Sequence, residues 1–260
     1  MLRPRLIPCL LVHNQGLVKT RCFADPRYVG DPINAVRIFN EKAADELMVM
    51  DIDASRNGQE PDYRMIANLA NECRMPLCYG GGVSQVEQVE RIVGLGVEKV
   101  AISAAAIENP ALIEQAAQRV GSQSVVVVLD VRRSGVFRDY GVMTHNATRK
   151  ASSAPGQLVR EMTNRGAGEI LINNIDRDGT MEGYDLDLVG RLRKETTLPM
   201  TILGGAGDLQ HIRDLWTAQG LIGAAAGSLF VFKGKYRAVL INYPNSEEKA
   251  ALLRQSGFEP

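Results

Sequence analysis

The sequence predicts an α/β fold in which eight strand–helix units close into a (β/α)8 barrel. Three observations predict it. Short apolar runs recur with amphipathic segments between most of them, glycine turns end strands and open helices, and an internal repeat is separated by close to half the chain. Near-continuous apolar strands are buried on both faces, which marks a parallel sheet covered by helices. Eight such units in 260 residues suit one closed TIM barrel with an ample core. A doubly wound open sheet is the alternative, but no G-x-G-x-x-G follows the first strand. One barrel domain over residues 1–260 is expected.

The elements follow in order. The strands are "RLIPCLLV", "ELMVMDID", "PLCYGG", "KVAIS", "SVVVVLDV", "EILINNID", "PMTILGG" and "LIGAAAG". A helix is expected in "DPINAVRIFNEKAAD", with Asp31 as N-cap and Pro32 first in the helix, where its missing N–H costs nothing. "SQVEQVERIVGLG" starts at Ser84 and carries Val86, Val89, Ile92 and Val93 at helical spacing. "NPALIEQAAQRVG" has Asn109 as cap, Pro110 first and Gly121 past its end. The repeat aligns "MPLCYGGGVSQVEQVERIVGLGVEKVAIS" with "LPMTILGGAGDLQHIRDLWTAQGLIGAAAGS", so Pro76 falls on Pro199 and Gly81-Gly82 on Gly204-Gly205. A barrel of two similar half-barrels explains it. The same symmetry pairs strand one with strand five and sets Leu11 roughly opposite Asp130.

Composition narrows the function classes. Thirty basic and thirty acidic residues cancel, and no basic block suggests nucleic acid. The cysteines (Cys9, Cys22, Cys73, Cys78) form no CxxC pair, which suits a reduced cytoplasm better than a disulfide framework. No apolar run has the ~18 residues of a membrane span, and the basic, briefly apolar N-terminus is read as strand one, not a signal peptide. His13, His145 and His211 are scattered without metal-ligand spacing, so no metal and no cofactor are expected.

In such barrels the chemistry lies at the C-terminal ends of the strands. The two glycine turns are candidate phosphate cradles, because glycine admits a ligand close to the backbone and the following helix offers free N–H groups. One such turn alone is only a tight turn; two on opposite halves suggest a ligand with a phosphate at each end. Asp51 and Asp53 end strand two, Asp130 ends strand five, and Asp176 and Asp178 follow strand six. Carboxylates there either cap helices and pair with arginines, or do acid–base work. An aspartate ending "VVVVL" is costly to bury without a purpose, so Asp130 is read as a general acid or base.

Along nearly the whole chain, "RLIPCL", "GLVK", "GDPI", "ADEL", "DIDAS", "GGGV", "ENPALI", "GSQSVVVVLDVRR", "GAGEIL", "DRDGTMEGYDLDL" and "GGAG" run in sequence. The chain resembles the HisF family, the cyclase subunit of imidazole glycerol phosphate synthase. The resemblance implies a glutamine amidotransferase complex. A separate HisH-like glutaminase releases ammonia at the barrel bottom, and the ammonia crosses the interior to react at the top with a ribulosyl bis-phosphate. It implies an acid–base pair of aspartates, one of which matches Asp130. The other position, where the family pattern is "IPCLDV", holds Leu11, and leucine can neither donate nor accept a proton.

Other expectations rest on the same resemblance. Lys19 matches a lysine used near the substrate, its bland alternative being a solvated loop lysine. Asp51, Gly82, Ser103, Asp176, Asp178, Gly179, Gly205, Gly227 and Ser228 are assigned to substrate or phosphate binding. The first cradle has lost donors, with Ala101, Ser103 and Ala104 where the family carries hydroxyl and amide side chains, and Leu203 replaces a serine near the second. At the strand starts, Arg5, Glu46, Lys99 and Glu169 match a charged ring around the ammonia entrance; otherwise they are ordinary surface charge. Glu98 and Gln123 match glutaminase-facing positions. The expected function is therefore a HisF-like subunit that conducts ammonia while its cyclase activity is impaired. The acceptor is expected to be a sugar amidated in lipopolysaccharide or O-antigen synthesis by an ATP-dependent amidotransferase partner. The alternatives are a true cyclase of histidine biosynthesis, and a structural partner that conducts nothing.

Overall fold

The computed structural model describes residues 3–134 and 139–259. Eight strands alternate with eight longer helices. The first four pairs are β1 (Leu6–His13) and α1 (Pro32–Glu41), β2 (Leu47–Asp51) and α2 (Tyr63–Glu72), β3 (Leu77–Gly80) and α3 (Val86–Gly94), β4 (Lys99–Ile102) and α4 (Ala111–Val120). The rest are β5 (Val125–Ser134) and α5 (Pro155–Asn164), β6 (Glu169–Asn174) and α6 (Leu186–Arg193), β7 (Met200–Leu203) and α7 (Leu209–Gln219), β8 (Gly223–Ala226) and α8 (Ser246–Gln255). Each strand pairs in parallel with the next, and β8 pairs with β1, so the sheet closes. The expected (β/α)8 TIM barrel is the fold.

Alternation along each strand divides the core in two. On β1, Leu6, Leu10 and Val12 point outward into the layer beneath the helices, while Ile7 and Cys9 point into the barrel. The interior packs Ile7, Cys9, Met48, Cys78, Ala101, Val126, Val128, Leu171 and Ala225, with Leu11, Met50 and Leu203 bordering it. It is a filled core whose side chains come from every second residue of the strands, as the side-chain period of two requires. Charged residues flank this apolar plug at both ends.

Local signals set the helix starts. Asp31 caps α1, its carboxylate accepting from the Asn34 N–H at 2.9 Å, with Pro32 first in the helix. Two starts differ from expectation. Gln85, not Ser84, caps α3, because the Gln88 amide oxygen accepts from both the Ser84 and Gln85 N–H groups and closes a capping box. Asn109 ends a short helix (Ala104–Glu108) instead of capping α4, which begins after Pro110.

The repeat has a structural counterpart in the glycine turns. A Cβ on Gly81 would lie 2.5 Å from the Asp51 carbonyl oxygen, and one on Gly204 would lie 2.5 Å from that of Asn174. Each turn thus packs against the end of the preceding strand, at positive φ in both cases, so only glycine fits. The halves match elsewhere too. An antiparallel strand folds back on β1 (Gly16–Arg21, with Leu11 opposite Val18), and another folds back on β5 (Asp139–Thr144, with Met143 opposite Asp130). No helix among the described residues is long and apolar enough to cross a membrane.

Candidate active site

The C-terminal ends of the strands and the loops that follow them surround a cleft lined by both polar and apolar side chains. Asp130 lies at its floor. Being inward on β5, it is register-paired with Asn173 on β6, and the Asn173 amide donates to its Oδ1 at 2.8 Å. The Ser103 hydroxyl donates to Oδ2 at 3.3 Å. Burial pushes the Asp130 carboxyl up to about 6, with those two hydrogen bonds pulling the other way and Asp178 adding repulsion. A carboxylic acid poised there can hold or release a proton near neutrality. The Asn173 carbonyl oxygen is buried and has no partner, an acceptor left for a ligand N–H or O–H.

That shift has a consequence for stability. The folded chain binds the Asp130 proton more tightly than the unfolded chain does, so this group's contribution falls as pH rises from the ordinary aspartate value of 3.8 to about 6 and stays low above that. Asp130→Asn has no charge to desolvate. It is expected to unfold at higher urea at pH 7.5, by about 2–3 kcal/mol. Equal midpoints for the two proteins at pH 7.5 would contradict the burial argument.

Leu11 lines the same cleft, packed beside Met50 and Leu203. Its place at the end of β1, four strands around the ring from β5, puts it across the barrel from Asp130, as the half-barrel symmetry requires. Asp178 supplies a second carboxylate in the cleft. It accepts from the Thr20 hydroxyl at 2.6 Å and the Phe23 N–H at 3.2 Å. Burial raises its pKa, with those bonds and Lys19 opposing.

Lys19 is not a solvated loop residue. It sits on the strand folded back on β1, only 5% exposed, and its Nζ donates to the Cys9 carbonyl at 2.6 Å. Burial pulls its pKa down, and Cys9 and Asp178 offset only part of that.

The remaining expected residues divide. Asp51, Ser103, Gly179, Gly205, Gly227 and Ser228 all line the cleft. Asp51 also caps a turn, accepting from the Asp53 and Ala54 N–H groups, and burial raises its pKa. Gly82 lies behind the lining, where Gly81 takes its place, and its N–H is held by the Ser55 hydroxyl at 3.1 Å. Asp176 also lies outside the lining. It is exposed and accepts from the Arg133 N–H at 2.8 Å, because the turn after β6 carries it over to β5. Asp53 serves structure, pairing with the His13 ring at 2.7 Å.

At the opposite end, four charged residues close a ring. Arg5 bridges Glu46 and, at 2.6 Å, Glu169, while Lys99 reaches Glu46 and Glu169, each at 2.9 Å. Each is the inward residue at or just before a strand start, so the ring is built by the same alternation that builds the core. Thr201 joins it, its hydroxyl donating to Glu169 at 2.5 Å. Burial raises the Glu169 pKa, but Arg5 and Lys99 outweigh it and the net direction is down. For Lys99 burial lowers it and Glu169 and Glu46 prevail, so the net direction is up. Glu98 and Gln123 flank this end, and both are engaged within the chain. Glu98 accepts from the Leu77 N–H at 2.7 Å and Gln123 donates to the Val120 carbonyl at 3.2 Å.

Sequence reasoning missed Thr201, Asn173, Thr20 and the cleft-lining His145. The signal was available for the first two, since each lies two residues from an inward apolar residue of its own strand, Leu203 and Leu171 respectively.

Residues 5–237 match the family model described as histidine biosynthesis protein. A Leptospira interrogans protein is 57% identical over 252 residues, covering 97% of this chain and 99% of its own length. A Vibrio vulnificus protein is 55% identical over 253 residues, 97% of each chain. A Pseudomonas aeruginosa protein is 49% identical over 245 residues, covering 94% of this chain and 97% of its own. All three are provisionally named as imidazole glycerol phosphate synthase subunits of the HisF type. With its barrel closed, its cleft at the strand ends and its matches spanning nearly the full length, this chain belongs to the HisF family of histidine biosynthesis proteins.

Proposed function

We propose that this chain is the synthase subunit of a glutamine amidotransferase of the imidazole glycerol phosphate synthase type. A HisH-like glutaminase docks on the end that carries the charged ring, and the ammonia it releases crosses the apolar interior to react in the cleft above. The observation that carries this reading is the polarity of the barrel. A closed ring of two cations and two carboxylates stands at one end and an acid–base cleft at the other, with only small or apolar side chains between them. Neutral ammonia passes such a plug more readily than ammonium, because desolvating a charge there is far costlier.

The names of the relatives favour synthesis of imidazole glycerol phosphate as the reaction in the cleft, for which the resemblance implies a ribulosyl bis-phosphate as substrate. Asp130 then acts as the proton donor or acceptor, and the glycine turns and Ser228 receive the phosphates. Leu11 favours a second reading, in which ammonia passes to another acceptor such as a sugar of lipopolysaccharide or O-antigen, amidated by an ATP-dependent partner. Complementation of a cyclase-deficient histidine auxotroph separates the two. Growth at the level of an aspartate-bearing homologue supports cyclisation and sinks the second reading. Absence of growth, with glutamine hydrolysis still stimulated in the purified HisH-like complex, supports the second. A chain that neither complements nor alters glutaminase turnover sinks both.

A further inference from the structure

The charged ring has an outer counterpart on the same two strands. Arg5 precedes Leu6, and Asp45 precedes Glu46. Alternation sends Arg5 and Glu46 into the barrel and Leu6 outward, into the layer beneath the helices. Asp45 reaches outward as well, its Oδ1 meeting Lys249 Nζ of α8 at 2.6 Å. The direct pairing of β1 with β2 begins at Cys9 opposite Met48. Before it, Pro8 has no N–H to give, and side chains receive both backbone groups of Leu6. The Leu6 N–H donates to Asp45 Oδ2 at 2.9 Å, and its carbonyl accepts from the Tyr243 hydroxyl at 2.9 Å. The same hydroxyl accepts from the Asp45 N–H at 3.2 Å. Tyr243 is buried, its ring packed against Phe39 of α1 and Phe230 at centroid distances of 6.4 and 5.3 Å. A side-chain clasp therefore stands where ladder bonds would otherwise join the two strand starts.

We propose that Tyr243, with Asp45 and Lys249, is a positioning unit for the charged ring, holding Arg5 against Glu46 from outside the barrel. This rests on the reading of the ring as the ammonia entrance. Arg5 touches Glu46 and Glu169 at once, so its long side chain has to be ordered between two strands. A fixed backbone lowers the entropy cost of that ordering. The clasp sits one peptide link from each partner of the Arg5–Glu46 pair, so a shift between Leu6 and Asp45 passes directly into the pair. A buried ion pair recovers its desolvation cost only while its geometry is held. Burial pushes the Tyr243 phenol up, so the hydroxyl remains a donor to Leu6 near neutral pH. Through Lys249 the clasp also ties α8 to the ring, which makes that helix part of the entrance as well as of the outer layer.

A double-mutant cycle on the full-length chain tests it. Tyr243→Phe removes the hydroxyl and keeps the ring packing. It is expected to lower the urea midpoint of the parent. In a Glu46→Gln background, where the ring has less geometry to lose, the same substitution should shift the midpoint by at most about half as much. Combined with Asp130→Asn, at the far end of the barrel, it should be additive. Lys249→Met, which takes the cation from Asp45, is the second clasp variant should Tyr243→Phe not fold. In the complex with the HisH-like glutaminase, product formation from the ribulosyl bis-phosphate is measured with glutamine and with ammonium chloride as the nitrogen source. Tyr243→Phe is expected to lose severalfold with glutamine and to keep its rate with ammonium chloride, which reaches the cleft from solvent. A clasp that only supports the fold would change both rates equally. Additive midpoints with Glu46→Gln, or equal rate changes with the two nitrogen sources, overturn the proposal. If the parent turns over neither source, the proposed function fails and the cycle alone decides the clasp.

Discussion

Leu11→Asp is expected to raise ammonia-dependent cyclisation of the ribulosyl bis-phosphate by on the order of 10²–10⁴-fold. The reason is geometric. Leu11 lines the cleft across from Asp130, and Asp130 is already held by Asn173 and Ser103 and poised at about 6. On the cyclase reading, the end of β1 is where a second proton-carrying group is missing. The new carboxylate would sit beside Met50 and Leu203, so its pKa would rise as that of Asp130 does. Two raised carboxyl groups facing one ligand suit one acid and one base near neutral pH. The cost falls on stability. Removing a half-buried leucine and burying a carboxyl is expected to lower it by about 2–3 kcal/mol, read as a lower urea midpoint. Unchanged cyclisation in a folded variant would show that the cleft has diverged beyond this one residue.

Glu169→Ala should produce the largest loss of stability in the chain outside its apolar core. Glu169 accepts from Arg5, Lys99 and Thr201, and its side chain is only 6% exposed. Removing it leaves two cations sharing Glu46. Breaking a buried ion pair costs about 3–5 kcal/mol, and the low end, about 3, applies here because both cations keep one partner and reach some solvent.

The pH dependence is also specified. The folded Glu169 pKa lies below the ordinary glutamate value of 4.5, so its contribution is complete above that pH and is lost as pH falls through the folded value. Urea midpoints from pH 7 to pH 3 should thus fall less steeply in Glu169→Gln than in the parent. A parallel pair of curves would mean that the ring contributes no net electrostatic stability. The functional counterpart is Lys99→Met, expected to leave glutamine hydrolysis in the complex intact while ammonia escapes to solvent. Full coupling in that variant would show that the ring does not guide ammonia.

Much of this was legible in the chain. Apolar runs, glycine turns and the half-length repeat specify the barrel, because strand burial and positive-φ turns are local properties written in residue type. Strand starts alone left the four charges as ordinary surface residues; the family resemblance made them a ring, and it closes because inward residues at one end of a barrel meet.

The cleft was less so. Asp176 and Asp178 are two residues apart in one turn, yet one reaches across to Arg133 and the other lines the cleft. No spacing rule separates them, because the backbone path of the turn decides which carboxylate faces inward. Gly82 and Gly81 differ in the same way. Lys19 shows the larger gap. As part of a stretch after strand one it looks solvated, and it becomes a buried amine held by the Cys9 carbonyl because that stretch folds back on β1.

By itself, then, the sequence determined the barrel, its two halves and the absence of an acid on strand one. These follow from side-chain type and strand alternation. Only the tertiary structure decided which polar groups share the cleft, how far burial shifts them and that Lys19 is among them. Those properties arise from desolvation and from contacts between residues distant in the chain, which depend on where the backbone brings them and not on what they are.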